Sequence, residues 1–407
     1  MLLYRLLTIV LSPIILGHII WLSIKNKQSK YFWQRLGFRC SHLPKNSLWF
    51  HCASVGEVNT LLPLLKNIHK RDAQLKFIIT TNTVTGGKIV AQQQLDYLFH
   101  SYLPFDWRHS IKRFIATTQP RAVYIMETEI WPNLFTLCAN DTAIYLINAR
   151  LSKTTTSTSP WIKNLLKTSL SKVTFIYSRS ESDTHAYLNL GAINQKIATT
   201  GNLKLTTALN NSKEKGSIPI TGREYVLVAS THNDEEKEIY SVWKKLNRHE
   251  LLIIAPRHPE RSPSIQKQLN CKDLAIRSQN TSITSQTKIY LLDTIGELKN
   301  YFSKAKVTIM GGSFVPVGGH NILEPASFHS ATITGPFMKN FKDELKLMLD
   351  KNAIIQVNNY DELQTSLSQI LDDNEFRTSL SKQTHNLTDD AGQVLERYTD
   401  IIFEQLQ

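Results

Sequence analysis

Short apolar runs of four to six residues alternate along this chain with longer segments whose apolar residues recur at helical spacing. In the first half these runs occupy positions 48–52, 76–80, 122–126, 143–148 and 174–178. After a polar stretch at 206–221 they resume at 225–229, 251–255, 288–292, 307–310, 331–334 and 353–357. Strands that alternate with crossover helices are typical of parallel sheets. The pattern therefore predicts two Rossmann-like α/β domains.

The N-terminal segment departs from this alternation. Positions 6–24 hold mainly apolar residues, interrupted by Pro13 and His18, and would form a helix about 28 Å long, barely enough to span a bilayer. We therefore expect a membrane-anchoring helix within 1–30, which either spans the membrane or lies on it. A first domain at 31–205, a linker at 206–221 and a second domain at 222–407 follow.

Charge identifies the expected partner of this anchor. The formal net charge is +13, yet positions 1–45 contain no Asp or Glu and seven basic residues. Each basic residue near an anionic surface contributes about 1 kcal/mol, so the cluster favours an anionic membrane and keeps the rest of the chain on its cytoplasmic side. Nucleic acid is not expected as a partner, because the basic residues adjoin an apolar segment and no recognition motif follows.

Composition narrows the class further. With 42% hydrophobic and 20% charged residues, the chain is typical of globular proteins. Its cysteines form no C-x-x-C pair, which argues against a disulfide framework and a structural zinc site, and favours a reducing compartment. These cysteines are Cys40, Cys52, Cys138 and Cys271.

A glycine-rich stretch directly follows the apolar run at 306–310. Gly311, Gly312 and Ser313 open it, and two further glycines precede His320. Glycines allow a close approach of the backbone to a ligand, and residues from His320 onward read as a helix start, whose free N–H groups favour an anion. On that helix Asn321 and Glu324 would share one face. The stretch predicts a phosphate site, although a simple turn with a capping carboxylate has the same pattern.

A second acidic loop follows the run at 48–52. Here Gly56 would free a tight turn, Ser54 can cap the following helix, and Glu57 stands where a capping box places its acid. Capping alone would explain Glu57. Open α/β sheets, however, hold their ligands at the carboxyl ends of strands, where this loop is expected to lie.

Further motifs accompany these two loops. They lie at 80–86, 103–106, 126–133 (METEIWPN), 148–152, 200–204, 255–261 (APRHPER) and 293–298. With 51–57 (HCASVGE) and 311–326, which ends in HNILEPA, they are distributed along most of the chain. In order and wording these nine segments resemble the 3-deoxy-D-manno-octulosonic acid (Kdo) transferases of lipopolysaccharide biosynthesis.

The resemblance implies a GT-B glycosyltransferase with two Rossmann-like domains facing across a cleft. The C-terminal domain would bind the donor CMP-Kdo, and the N-terminal domain would receive the lipid A precursor, lipid IVA. The implied reaction is an inverting transfer at the cytoplasmic face of the inner membrane. It would need neither metal nor cofactor.

The same resemblance assigns roles to single residues. Glu57 would be the general base, Glu127 would stabilise the transition state, and Lys204 would offset charge on the donor. Taken alone, Glu127 also fits a carboxylate paired with Arg or Lys, and Lys204 a solvated side chain. The implied donor-binding set is Pro256, Arg257, Gly296, Glu297, Leu298, Asn321, Ile322, Leu323 and Glu324. Other cleft candidates are Ser54, Gly56, Gly311, Gly312, Ser313 and His320.

Two other functions stay open. One is a GT-B transferase that uses a UDP-sugar on a lipid acceptor. The other is a membrane-surface binding protein that has lost catalysis. The number of Kdo residues added and the acyl preference of the acceptor are not predicted.

Overall fold

Two parallel-sheet α/β units make up the computed structural model, which describes residues 1–151, 155, 158–206 and 222–406. The first unit contains Met1–Lys204 and Val394–Gln407, and the second contains Leu205–Gln393. Two α/β domains are therefore present, as the alternation of apolar runs predicts. Apart from residue 206, the predicted linker at 206–221 lies outside the described residues.

The C-terminal segment corrects the predicted domain boundary at 222–407. A single helix, Asn374–Glu404, ends the chain, and its last turns belong to the first unit. Val394, Tyr398 and Ile402, spaced four residues apart, lie on one face of this helix and are buried in the first unit's core. Burial of such side chains stabilises a fold by about 1.5–3 kcal/mol each, so these residues hold the C-terminal segment on the first unit.

Seven parallel strands form the sheet of the first unit, in the order β3-β2-β1-β4-β5-β6-β7. They are β1 (Leu48–Cys52), β2 (Phe77–Thr81), β3 (Leu98–Tyr102), β4 (Ala122–Met126), β5 (Ala143–Ala149), β6 (Phe175–Ser178) and β7 (Ile197–Thr199).

A second seven-stranded parallel sheet, in the order β10-β11-β9-β8-β12-β13-β14, forms the other unit. Its strands are β8 (Tyr225–Thr231), β9 (Leu251–Pro256), β10 (Leu274–Ile276), β11 (Ile289–Leu291), β12 (Val307–Met310), β13 (Thr332–Thr334) and β14 (Ile355–Gln356).

Helices connect the strands in both units. In the first they are α1 (Leu2–Val10), α2 (Ser12–Lys25), α3 (Ser29–Arg35), α4 (Val55–Arg71), α5 (Val84–Gln92), α6 (Arg108–Thr118), α7 (Pro132–Cys138), α8 (Pro160–Leu170) and α9 (Glu181–Leu190). In the rest of the chain they are α10 (Glu235–Leu246), α11 (Ser262–Leu269), α12 (Lys299–Phe302), α13 (Leu323–Ala326), α14 (Lys342–Asp350), α15 (Tyr360–Asp372) and α16 (Asn374–Glu404).

Both faces of each sheet are buried, which explains why the strands read as continuous apolar runs. In β1, Leu48 and Phe50 pack into one core cluster of the first unit, while Trp49 packs into the cluster on the other face. In β8, Leu227 and Val228 divide in the same way between two clusters. The predicted apolar run is therefore a strand covered on both sides.

Three strands of the structure, β3, β7 and β10, were not predicted from the apolar runs. β3 contains His100 and Ser101, and β7 and β10 are three residues long. β3, β7 and β10 all lie at sheet edges. Because an edge strand has a neighbour on one side only, its sequence carries a weaker apolar signal.

The N-terminal segment forms two helices instead of the expected one. Among the described residues, no single helix is both long and apolar enough to cross a membrane. Taken together, α1 and α2 meet the length and composition required, and they are bent by 55° at the break between them.

Candidate functional site

Each sheet has one point where its strand order reverses. In the first unit the chain leaves β1 for β2 on one side and returns to β4 on the other, and in the second β8 lies between β9 and β12 in the same way. Loops at the carboxyl ends of such strand pairs form the ligand crevice of open α/β sheets. The loops after β1 and β4 carry Glu57 and Glu127. The loop after β12 is the glycine-rich stretch.

Glu57 lies at the N-terminus of α4. Ser54 caps this helix by accepting the Glu57 N–H at 3.3 Å, and its hydroxyl donates to Glu57 Oε1 at 3.0 Å. The Ala53 N–H donates to the other carboxylate oxygen at 2.8 Å. The predicted capping role is therefore real, and it holds the carboxylate in a fixed orientation at the strand end.

The Glu57 side chain is also an unusual acid. Burial raises the pKa of Glu57 to about 7, and the carboxylates of Glu127 and Glu129 act in the same direction. The donors at Ala53 and Ser54 oppose this rise without cancelling it. A carboxylate with a pKa near neutrality is suited to accept a proton from a hydroxyl group.

Glu127 follows β4 with a left-handed backbone, at φ +55°. Its own N–H donates to the Ile147 carbonyl at 3.1 Å, and the Tyr187 hydroxyl donates to its carbonyl at 3.2 Å. Arg150 Nε lies 2.7 Å from Glu127 Oε2. The alternative of a buried carboxylate paired with Arg is therefore confirmed, and the pair lies at the carboxyl end of β4, where the surrounding contacts hold a strained backbone.

Glu129 is the third carboxylate of this group. His51 Nε2 lies 3.7 Å from Glu129 Oε2, and the Asn82 amide donates to the same oxygen at 3.2 Å. Burial alone would raise the pKa of Glu129, but His51, Asn82 and Trp131 hold it below its ordinary value. Glu129 is therefore ionised where Glu57 is poised to take up a proton.

Gly56 does not free a tight turn, which corrects the prediction. It lies inside α4, and it is not among the residues with a left-handed backbone. It is exposed, and a Cβ atom added there would meet only the Ser54 hydroxyl at 3.8 Å. The glycine therefore leaves bare backbone beside Glu57.

Lys204 lies in a short 3₁₀ turn, Leu203–Leu205, at the end of the first unit. The side chain of Asn148, in β5, accepts the Leu203 N–H at 2.9 Å, and Tyr398 of α16 accepts the Asn148 N–H at 3.0 Å. The returning C-terminal helix thus fixes the turn that carries Lys204.

Arg257 follows β9 in the second unit, and its side chain is exposed. Its N–H donates to the Thr231 carbonyl at 3.0 Å, and Pro256 is buried as the last residue of the strand. Burial raises the pKa of Glu324, while the charges of Lys299 and Arg257 oppose that rise. Arg257 and Glu324, both members of the predicted donor-binding set, are therefore close enough to interact electrostatically, with Lys299 as a further cation.

His320 pairs with His232, a residue that the sequence analysis missed. Their Nε2 atoms lie 2.8 Å apart, and the two ring planes are inclined by 13°. Burial lowers the pKa of His320 to about 4, helped by His232, Arg257 and His258. Burial also lowers the pKa of His232, so both rings are uncharged at neutral pH, and the Nε2–H of one donates a hydrogen bond to the bare Nε2 of the other.

Close packing explains why glycine is needed at several positions of the glycine-rich loop, which the sequence alone did not show. A Cβ atom at Gly311 would lie 2.6 Å from the Thr231 backbone, and one at Gly312, where φ is +66°, would lie 2.7 Å from the His320 ring. The Gly319 N–H donates to the Gly312 carbonyl at 2.8 Å. The loop therefore folds tightly on itself and on the segment after β8.

Several predicted side chains of this region face inward. Ile322 and Leu323 are buried in the core, so only their backbone can face a ligand. The Ser313 hydroxyl binds the Met310 carbonyl and the Gly335 N–H. The helix expected from His320 onward is wrong, because α13 starts at Leu323 and spans four residues. Asn321 instead accepts the Leu323 N–H at 3.1 Å.

Gly296, Glu297 and Leu298 precede the four-residue helix α12. Gly296 has φ +90° with open space around its missing Cβ. Glu297 forms a two-bonded ion pair with Arg277, at 2.7 and 2.8 Å, which lowers the pKa of its carboxyl to about 2. Both carboxylate oxygens of Glu297 are therefore engaged by Arg277 within the protein.

Comparison with known proteins assigns the chain to a family. A family model described as 3-deoxy-D-manno-octulosonic-acid transferase (kdotransferase) matches residues 30–207. The 3-deoxy-D-manno-octulosonic acid transferase of Haemophilus influenzae is 31% identical over 99% of this chain and 98% of that relative. The chain belongs to the Kdo transferase family of glycosyltransferases. The enzyme of the same name from Rickettsia typhi is 33% identical over 80% of this chain and 72% of that relative.

A solved structure supports the fold. The UDP-GlcNAc 2-epimerase of Neisseria meningitidis bound to UDP-GlcNAc matches 88% of this chain and 99% of its own, with a TM-score of 0.57 and 13% identity. At that identity the likeness concerns the fold alone. It supports the expected GT-B class of two parallel-sheet domains.

The Kdo transferase match at 30–207 contains Glu57, Glu127 and Lys204. The site around Arg257 and His320 lies outside this range but inside the region shared with the Haemophilus influenzae relative. Among the residues that sequence reasoning missed, Arg150 lies within a quoted family segment, whereas His232 and Arg277 lie in none.

One group of possible metal ligands lies away from both loops. Within the described ranges, Glu224, His249 and Glu250 bring ligand atoms within 4.8 Å of one another. They precede β8 and β9, at the amino ends of the strands, and the Lys306 ammonium lies 3.3 Å from Glu250 Oε1. A catalytic role of these ligands does not follow from this position, and metal-independent transfer stays a prediction.

Proposed function

We propose that this Kdo transferase family member transfers Kdo from CMP-Kdo to a lipid A precursor, lipid IVA, with Glu57 as general base. The observation that carries the proposal is the Glu57 carboxylate, held by two donors at the carboxyl end of β1 with a pKa of about 7. Glu57 takes the proton of the acceptor hydroxyl as that oxygen attacks the anomeric carbon of Kdo. The bond from this carbon to the CMP phosphate breaks, so the transfer inverts the configuration.

The second unit would hold the nucleotide. Arg257 supplies an exposed guanidinium at the end of β9, and Lys299 adds positive charge beside it. A guanidinium suits the phosphate of CMP, because it can donate two parallel hydrogen bonds. Asn321, Glu324 and the backbone around Gly296 would contact the rest of the donor, and Lys204 would offset negative charge on the departing CMP.

In the first unit, Glu127 and Arg150 would face the transition state together. Glu127 is held by its strained backbone and its ion pair, so it can respond to developing positive charge at the anomeric carbon without moving. Its neighbour Glu129 would keep negative charge beside Glu57 and so maintain the basicity of Glu57.

The N-terminal helices support a lipid acceptor and a cytoplasmic membrane surface. Several apolar side chains of α1 and α2 are exposed, among them Ile9 at 68% and Ile14 at 71%. Beside them is a pocket of about 280 Å³, whose lining includes Arg5, Arg108 and His109. Apolar side chains next to cations match the interface between acyl chains and anionic headgroups.

The product assay tests the reaction. Purified protein, CMP-Kdo and tetraacylated lipid A precursor should give, by mass spectrometry, a product heavier by Kdo. CMP should raise the melting temperature more than UDP does; the reverse order would favour a UDP-sugar donor. No product from the intact protein with any of these donors would favour the inactive binding protein.

The membrane contact has its own test. Ile9→Glu with Ile14→Glu should move the protein from anionic vesicles to the soluble fraction in a flotation assay, with CMP affinity unchanged. Ile193→Glu is the control, because Ile193 is 43% exposed in the same unit but far from α1 and α2 in sequence. Unchanged flotation of the double variant would contradict a membrane role for these helices.

A further inference from the structure

Glu235, the first residue of α10, is a buried acid whose hydrogen bonds all go to loop backbone. Its Oε2 accepts the His232 N–H and the Gly312 N–H, each at 2.7 Å. Its Oε1 accepts the Phe314 N–H at 2.9 Å. The residue is 0% exposed. Glu235 therefore makes no solvent contact and satisfies three backbone donors.

The loops that it joins follow β8 and β12, the neighbouring strands at the reversal point of the second sheet. His232 is in the first loop, and Gly312 and Phe314 are in the glycine-rich loop. A short loop with no regular hydrogen bonding keeps its shape only where its backbone groups have fixed partners. One carboxylate supplies such partners to both loops at once.

The restraint reaches the residues that face the candidate donor site. Gly312 has a left-handed backbone and leaves room for the His320 ring, which a Cβ atom there would meet at 2.7 Å and which hydrogen-bonds His232. His320 precedes Asn321 and the turn that carries Glu324. Fixing Gly312 and His232 with the same side chain therefore fixes both partners of the histidine pair and the start of that turn.

We propose that Glu235 is a positioning residue for donor binding, which locks the glycine-rich loop and the histidine pair in the conformation that receives the nucleotide. The inference rests on the proposed binding of CMP by the second unit. Because Glu235 acts before the donor arrives, it contributes equally to the ground state and the transition state. Its loss should weaken donor binding and leave the chemical step nearly unchanged.

The neighbouring acid provides a matched control. Glu236 is also 0% exposed on α10, but its oxygens accept from the Arg261 guanidinium, at 2.8 and 3.0 Å, and from the Thr231 hydroxyl at 2.6 Å. Glu236→Gln removes a buried charge from the same helix without touching the bonds to Gly312 and Phe314. A general loss of stability would affect both variants alike, whereas loss of loop positioning would affect Glu235→Gln alone.

Hydrogen exchange measures the restraint without any ligand. In Glu235→Gln the amide side chain keeps one good acceptor for three donors. Peptides that contain Gly312 and Phe314 should therefore exchange about tenfold faster than in the unmodified protein, and those of Glu236→Gln should not change. Equal exchange in the two variants would overturn the proposal.

Kinetics then separates positioning from folding. Glu235→Gln should raise KM for CMP-Kdo and the Kd for CMP by about tenfold, the loss of about one charge-assisted hydrogen bond. Its kcat should stay within about threefold, and Glu236→Gln should bind CMP as the unmodified protein does. Faster exchange with unchanged CMP affinity would overturn the positioning role.

Two further outcomes have separate meanings. Failure of the unmodified protein to bind CMP would contradict the proposed function, while normal CMP binding with unchanged loop exchange in Glu235→Gln would contradict only the present inference. If Glu235→Gln does not fold, Glu235→Asp keeps the charge but shortens its reach, and the same loop exchange and CMP affinity decide the question.

Discussion

The two units share a sheet plan but present different ionisable groups at the equivalent place. In the first, the loops after β1 and β4 bring together the carboxylates of Glu57, Glu127 and Glu129. In the second, the loops after β8, β9 and β12 bring together two uncharged histidines and the cation Arg257. The same architecture therefore offers a proton acceptor in one unit and an anion site in the other.

Buried glutamates also do different work in the two units. Burial raises the pKa of both Glu57 and Glu235. Glu57 adjoins the exposed backbone of Gly56, whereas Glu235 is enclosed by the loop N–H groups that it binds. A carboxyl group with a raised pKa can therefore take part in catalysis where a substrate can reach it. Where no substrate can reach it, it can stabilise the conformation of a loop. Four predictions test this contrast.

The largest effect is expected for Glu57→Gln. Loss of the general base should lower kcat by about a hundred- to ten-thousand-fold, because the acceptor hydroxyl is a poor nucleophile with its proton in place. The Kd for CMP, measured by calorimetry, should not change, since the nucleotide is assigned to the other unit.

Asp183→Asn is the control for capping. Asp183 stands in the first turn of α9 with Ser180 as its cap, and like Glu57 it is 8% exposed. This variant should turn over normally. Equal losses in the two variants would show that Glu57 serves only as a helix cap.

The next effect is expected for Arg257→Ala. If its guanidinium binds the CMP phosphate as proposed, its removal should raise the Kd for CMP by about ten- to a hundredfold, with a smaller change in kcat. Arg248→Ala in the same unit removes only an ion pair with Asp372 and should leave CMP binding intact. An unchanged affinity for CMP in Arg257→Ala would contradict the proposed anion site in the second unit.

A third prediction concerns pH. The base must be ionised, so kcat/KM should fall about tenfold per unit as pH drops below about 7. The folded-state pKa of Glu57 also lies above its ordinary value of 4.5, so the folded chain binds more protons than the unfolded chain between these values. The free energy of unfolding should therefore fall as pH rises through this window.

Glu57→Gln removes that dependence. By urea unfolding it should be more stable than the unmodified protein at pH 8, by on the order of 2 kcal/mol, and the gain should vanish near pH 4.5. A gain that is the same at both pH values would contradict the raised pKa.

The smallest effect is expected for Gly56→Ala. Alanine favours a helix over glycine by up to about 1 kcal/mol, and the added methyl meets only the Ser54 hydroxyl, so the melting temperature should hold or rise slightly. The methyl would nevertheless cover the bare backbone beside Glu57 and should raise KM for the lipid acceptor several-fold. An unchanged KM would show that the acceptor does not approach there.

Much of this fold could be predicted from local sequence, because strands that are buried on both faces of a sheet form continuous apolar runs. β1, β4 and β12 have the bounds that their apolar runs predict, and they lead directly to Glu57, Glu127 and the glycine-rich stretch. The edge strands β3, β7 and β10 were missed, because each is only partly buried and none lies within one of the continuous apolar runs. An ion pair of Glu127 with some Arg or Lys was foreseen as an alternative, but the sequence did not identify Arg150 as the partner.

The sequence by itself determined two parallel α/β domains, the family and the identity of the acidic and glycine-rich loops, because each is recorded in local patterns, single or repeated along the chain. Only the tertiary structure decided that the last turns of α16 return to the first unit, that Glu57 has a pKa near 7, and that Glu235 braces the glycine-rich loop. These features depend on burial and on contacts between residues that lie far apart in the chain. No local pattern records them.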